Sequence, residues 1–197
     1  MRQFVVVGHD APTTDDFSLD DLPGAGRLDV LCRCVTAALL LSHGIRDGVE
    51  ISLVLDGELT VRFDGATVRR LNPDERSTAA LIRTALAERE QAVGHVEVET
   101  SPGVHLSRRR LDTVLDAAAD GGTVVRLHED GYSAGDVPVP HDPVFVLSDD
   151  RDLSDEEAAL VDDIADRRLR LGPERLHADD AITVAHHWLD TRGYERF

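Results

Sequence analysis

The residue types best suited to chemistry in this chain lie where short strand-like runs break off. Val144–Leu147 ends in Ser148-Asp149-Asp150, and Leu169–Leu171 ends in Gly172-Pro173-Glu174-Arg175. Loops that leave the C-terminal ends of parallel strands are where open α/β sheets hold small ligands. In the second loop the glycine lets backbone approach a ligand and the proline stiffens the turn, so a cofactor is expected there. A second group is Ser107-Arg108-Arg109-Arg110. Guanidinium forks match phosphate oxygens, which suggests a clamp. Against it, three cations in the first turn of a helix oppose the dipole by about 0.3–1 kcal/mol each before screening. Solvated arginines, or pairs with Asp112 and Asp116, are the plainer reading. Arg27, Arg33, Arg69, Arg70 and Arg76 could extend a basic surface, although each alone is more often structural. The loop Gly8-His9-Asp10-Ala11-Pro12-Thr13-Thr14 follows the first strand and reads most simply as a turn.

Other chemistries lack an anchor. His177, His186 and His187 do not form a metal site, because neighbouring helical histidines point about 100° apart and no carboxylate spacing completes the set. Gly24-Ala25-Gly26 lacks the strand-before, helix-after context of a dinucleotide fingerprint, and neither a nucleophile elbow nor a P-loop occurs. Cys32 and Cys34 on a helix lie about 200° apart, so they neither bridge nor co-ligate easily and are expected to be reduced core residues.

The elements that must position these groups alternate between strand and helix, which gives an α/β fold. Arg2–Gly8 is a strand, followed by a long Pro/Asp/Thr/Gly-rich loop over residues 11–26 and a buried helix from Leu28 to Leu41. Residues 49–63 alternate as a hairpin around Asp56-Gly57, and Asp64-Gly65 suggests a third strand. Asn72-Pro73 opens a helix running to about Arg89, with Asn72 as its cap. Residues 95–99 and 104–106 read as strand, and Ser107 as the start of a helix. Thr123–Leu127 is a short strand and Val144–Leu147 the next. Ser154–Glu157 is a capping box, Arg168–Leu171 the last strand, and Ala178–Asp190 the last helix.

A chain of 197 residues fits a single domain spanning 1–197. No apolar run reaches membrane-span length, and the N-terminal apolar stretch is too short for a secretory signal, so the cytoplasm is the expected compartment. All 21 basic residues are arginine against 38 acids, a net charge of −17. Such charge ordinarily argues against nucleic-acid partners. Its dispersion in short pairs instead suggests adaptation to high salt, where self-repulsion is screened within about 3 Å at 1 M. On that reading net charge says little about the ligand.

The segments VGHDAPTTDDFSLDDLPGAGRLDVLCRC, LNPDERS, ETSPGVHLSRR, LHEDG, FVLSDD and LGPERLHADDAI together resemble the archaeal tRNA pseudouridine-54 N1-methyltransferases, the TrmY-type members of the SPOUT superfamily. The resemblance covers nearly the whole chain. It implies a SPOUT-type sheet with a deep C-terminal trefoil knot over about 123–190, a small antiparallel hairpin extension, a homodimer, and S-adenosylmethionine as cofactor. Carried over by motif, the cofactor residues are Leu127, Ser148, Leu171, Gly172, Pro173, Glu174, Arg175, Leu176 and Ala181. Family members often carry Gly at the position of Ser148 and Cys at that of Ala181, so no thiol nucleophile is available here. The implied reaction is methyl transfer to N1 of a pseudouridine in the tRNA T-arm. Asp10, Asp29 and Arg27 are the candidate catalytic residues, Asp10 or Asp29 taking the N1 proton, and Arg33, Arg76, Arg108 and Arg109 the candidate RNA contacts. No metal and no membrane are expected as partners. Methylation of a ribosomal pseudouridine, as by Nep1-type relatives, or RNA binding without catalysis are the alternatives.

Overall fold

The computed structural model describes residues 1–197. In chain order the elements are β1 (Arg2–Gly8), α1 (Leu28–Leu39), β2 (Leu40–Leu41), β3 (Gly44–Ile45), β4 (Val49–Leu55), β5 (Leu59–Asp64), α2 (Glu75–Ala87), β6 (Val98–Ser101), β7 (Val104–Ser107), α3 (Leu111–Ala119), β8 (Thr123–Ser133), a 3-10 turn (Ala134–Asp136), β9 (Pro143–Ser148), α4 (Asp155–Ile164), β10 (Arg167–Arg170) and α5 (Ala178–Asp190). All strands except the β2–β3 pair form one sheet ordered β10-β8-β9-β1-β4-β5-β7-β6. It is parallel from β10 to β4 and antiparallel through β5, β7 and β6.

Alternation along the central strands sends side chains into two cores. Phe4, Val6, Leu53, Phe145 and Leu147 join the larger core with α1, α2 and α5. Val5, Val7, Val54, Val144 and Val146 face α3 and α4 in the smaller one. The strands that are apolar on both faces are therefore the ones covered on both sides, as a parallel α/β sheet requires. Helix α5 docks through Trp188, stacked edge-on to Phe145 at 6.5 Å, and through His186, 5.0 Å from Phe4. The His186 ring is neutral: burial, then the nearby Arg46 charge, push its pKa down to about 4. Its Nε2 donates to the Ala38 carbonyl at 2.9 Å while Nδ1 faces Arg2 at 3.1 Å, a packing role. Both cysteines are buried and unbonded, and burial pushes their thiols up in pKa, so they are unreactive core residues.

Several boundaries differ from the sequence reading, each for a local reason. Helix α1 stops at Leu39, two residues short, because Leu40–Leu41 pairs with Gly44–Ile45. The cap of α2 is Asp74 rather than Asn72, its carboxylate accepting from the Ser77 N–H at 2.7 Å. No strand follows Asp64-Gly65; β5 is instead covered by β7, and Pro102-Gly103 turns β6 into β7. Ser107 ends β7, and α3 begins only at Leu111, so the three arginines precede the helix and the expected conflict with its dipole does not arise. Strand β8 is far longer than expected because it returns to the sheet after an excursion. Val125 and Arg126 pair with Arg167 and Arg168, then Tyr132 and Ser133 pair with Leu169 and Arg170. Residues 127–131 thus leave the ladder and stand out from it.

Candidate functional site

Three chain segments leave the same end of the parallel strands and enclose a cavity of about 560 Å³. They are the excursion from β8 (Leu127, His128, Glu129), the loop after β9 (Ser148 to Leu153) and the loop after β10 (Leu171 to His177), with Ala178 and Ala181 of α5 closing the floor. Every residue expected around the cofactor lines this cavity except Pro173, which is exposed and stiffens the loop from outside. Gly172 has open space where a Cβ would stand. Arg175 ties the walls together: it pairs with Asp152 of the β9 loop and lies 3.7 Å from Glu129 of the β8 excursion. Leu127, Leu147, Leu171 and Leu176 supply apolar surface, and Glu129, Asp149, Asp150, Asp152 and Glu174 supply acid. Arg126, Arg151, Arg170 and Arg175 line it as well, so the acids are largely balanced. A concave, partly apolar chamber of this size suits a nucleoside-type ligand.

The N-terminal loop is moored to this wall at three points. Asp10 pairs with Arg151 at 2.5 Å, and Arg27 donates to Asp150 at 3.2 Å. Between them, Gly26 (φ 58°) packs so tightly that a Cβ would stand 1.9 Å from the Asp10 carbonyl oxygen. Asp10 and Arg27 themselves occupy left-handed backbone (φ 53° and 55°), so Asp10 and the start of α1 are drawn side by side. The third mooring is His9, whose part sequence reasoning missed. Its backbone N–H donates to Asp149 Oδ2 at 2.6 Å, its Nδ1 faces Asp149 Oδ1 at 2.9 Å, and its Nε2 faces Glu157 Oε2 at 3.0 Å. Only the Ser154–Glu157 capping box was visible in the sequence. It forms as expected, and the same Glu157 oxygen also receives His9.

Asp29 lies on the first turn of α1 and is 5% exposed. Arg27 grips it with two donors, Nε to Oδ1 at 3.0 Å and Nη2 to Oδ2 at 3.1 Å, and Arg33 adds a third at 3.0 Å. Burial works to raise the Asp29 pKa, but the hydrogen bonds from Arg27 and then Arg33 hold it below the ordinary carboxylate range. A carboxylate so held is a weak proton acceptor and a good anchor for two arginines. Asp10 is exposed and pairs with Arg151, a residue of the cavity lining.

The arginines expected to contact RNA each have partners within the protein. Arg33 is shared among Asp29, Glu75 and Asp179. Arg108 donates to the carbonyls of Ala92 (2.8 Å) and Arg89 (3.1 Å), and Arg109 to that of His95 (3.0 Å). These two arginines pin the loop before β6, a use that no local pattern signals because its partners are main-chain oxygens. Arg76 pairs with Asp20 on the open surface. Arg110, the one member of the triplet left exposed, caps α3 without a side-chain bond.

Comparison with known proteins agrees with this geometry. The model of the SAM-dependent RNA methyltransferase family matches residues 1–194. Proteins named tRNA (pseudouridine(54)-N(1))-methyltransferase are 65% identical in Haloarcula marismortui and 62% in Haloferax volcanii, each over 100% of both chains. The protein of that name in Methanococcoides burtonii is 42% identical over 96% of both. Among solved structures, Archaeoglobus fulgidus Nep1 bound to S-adenosylhomocysteine superposes with a TM-score of 0.61 at 14% identity, covering 99% of this chain and 97% of the other, which establishes a shared fold. The chain belongs to the SAM-dependent RNA methyltransferase family.

Proposed function

We propose that this protein transfers a methyl group from S-adenosylmethionine to N1 of pseudouridine 54 in the T-arm of tRNA. The observation that carries the reading is the three-loop cavity, lined by all but one of the residues expected around the cofactor. Its relatives' names specify the base and position. When bound, the cofactor supplies the electrophilic methyl of its sulfonium. Glu174, the cavity acid without an ion-pair partner, offsets its positive charge, and Leu127, Leu171 and Leu176 pack its apolar surface. Asp10, held beside the cavity residue Arg151, accepts the N1 proton, while Asp29 holds Arg27 toward the incoming base. The target base leaves its stack to reach the chamber. Exposed pairs such as Arg76–Asp20 contribute little in place, so phosphates can displace their carboxylates.

The order in which β8, β9 and β10 sit in the sheet, with the 127–131 excursion between them, supports a C-terminal knot built from these loops. We read the active form as a homodimer working in the cytoplasm of a halophile. No helix is long and apolar enough to cross a membrane. The test is methyl incorporation from labelled cofactor into a tRNA transcript carrying pseudouridine at position 54, at molar salt. Incorporation is expected there and not into the uridine-54 transcript; transfer only to a ribosomal pseudouridine hairpin sinks the assignment.

Two further outcomes follow. Gly172→Ala is expected to leave the melting temperature unchanged, because its Cβ meets nothing within 4 Å, yet to weaken cofactor binding about tenfold by calorimetry. Undiminished affinity removes Gly172 from the binding wall. The melting temperature is expected to rise between dilute buffer and molar KCl as the net charge of −17 is screened. Equal midpoints in the two buffers contradict high-salt adaptation.

A further inference from the structure

We propose that His9 is a positioning residue for methyl transfer: bridging Asp149 and Glu157, it holds the turn that carries Asp10 in register with the cofactor loop after β9. This deepens the reading of the site given above and rests on it. The bridge joins the end of β1 to partners 140 and 148 residues later, one in the β9 loop and one on the α4 that follows it. Asp149 is 8% exposed and is itself fixed, its N–H donating to the Val7 carbonyl at 2.9 Å and its carboxylate accepting from the Arg151 N–H at 3.0 Å. The residue after His9 and the residues after Asp149 are the two sides of the Asp10–Arg151 contact. A slip at His9 is therefore a slip of Asp10 against the cavity.

The charged groups that face the ring are Asp149 from the β9 loop and Glu157 from α4; Asp10, next in the chain, turns to Arg151. With an acceptor at each ring nitrogen, both nitrogens act as donors only in the imidazolium. Burial opposes the charged ring, but the hydrogen bonds to Asp149 and Glu157 outweigh it and raise the pKa above 6.5. The bridge is accordingly intact below the ordinary histidine value and is lost as pH rises through the raised one.

The test uses the full-length protein and two variants. Glu157→Gln preserves the capping interaction with Ser154 but removes one charge facing the ring. His9→Gln cannot donate at both ends. In the wild type, kcat is expected to fall on the alkaline side as His9 deprotonates, as followed by NMR of the ring. In Glu157→Gln both the ring titration and the alkaline limb of kcat should move down by about one pH unit. In His9→Gln, kcat should fall about 10- to 100-fold with the KM for cofactor held, and amide exchange of residues 10–27 should quicken. A kcat limb that stays put while the ring titration moves, or unchanged exchange in His9→Gln, overturns the proposal. Should the wild type methylate no pseudouridine-54 tRNA, the activity reading fails, and the exchange comparison still decides whether His9 holds the loop.

Discussion

Gly131→Val is expected to lower the melting temperature by about 5–10 °C and to weaken cofactor binding at least tenfold, because Gly131 is where the β8 excursion rejoins the sheet. A Cβ at this position would stand 2.5 Å from the Leu169 nitrogen, 2.6 Å from the Leu169 carbonyl carbon and 2.7 Å from that of Arg168. These are backbone atoms of β10, and they cannot swing aside as a side chain can. Valine therefore pries β10 from β8 at the point where pairing jumps from Arg126–Arg168 to Tyr132–Leu169. That jump creates the wall formed by Leu127, His128 and Glu129, and β10 leads directly into the opposite wall at Leu171 and Gly172. Loss of the junction displaces both sides of the chamber at once. The matched control is Gly121→Val, whose Cβ would meet nothing within 4 Å. Calorimetric binding and thermal denaturation of the two variants side by side decide the matter. A Gly131→Val protein that melts and binds like the control shows that the junction does not shape the cavity.

What was legible in the sequence, and what was not, divides by the range of the interaction. Strand and helix periods identified β1, β4, β5, β9 and α5 nearly to the residue, since burial on one face or both leaves a local imprint. The Asp56-Gly57 turn was equally plain, both residues adopting positive φ as a tight hairpin turn demands. The positions that the resemblance names line one cavity, with Pro173 the exception: a motif residue can shape a loop without touching the chamber. The excursion in β8 left no signal, because LHEDG looks like a loop whether or not the chain rejoins its sheet. The partners of the arginines leave no local signal for the same reason. Arg108 spends its guanidinium on the carbonyls of Arg89 and Ala92, partners that composition never reveals. His9 reads locally as part of a turn because Asp149 and Glu157 lie 140 and 148 residues away.

Asp29→Asn is expected to reduce the rate of methyl transfer about 100-fold while cofactor affinity stays within about twofold. Asparagine matches the shape of aspartate but offers Arg27 and Arg33 one acceptor oxygen in place of a charged pair. Arg27 then keeps only Asp150, an exposed partner at 3.2 Å, and its left-handed backbone at φ 55° loses the grip that holds the side chain across the start of α1. Asp29 does not line the chamber, so binding of the cofactor should not register the change. The pH dependence separates anchoring from proton acceptance. With its pKa held below the usual range, the wild-type carboxylate stays ionised at every pH above the ordinary aspartate value, and the anchor fails only as pH falls through the lowered one. Single-turnover rates across this range should therefore show the same profile near neutrality in both proteins, displaced downward in the variant. If Asp29 instead took the N1 proton, the variant would lose the pH dependence itself. A variant as fast as the wild type would mean that Arg27 needs no anchor to meet the base.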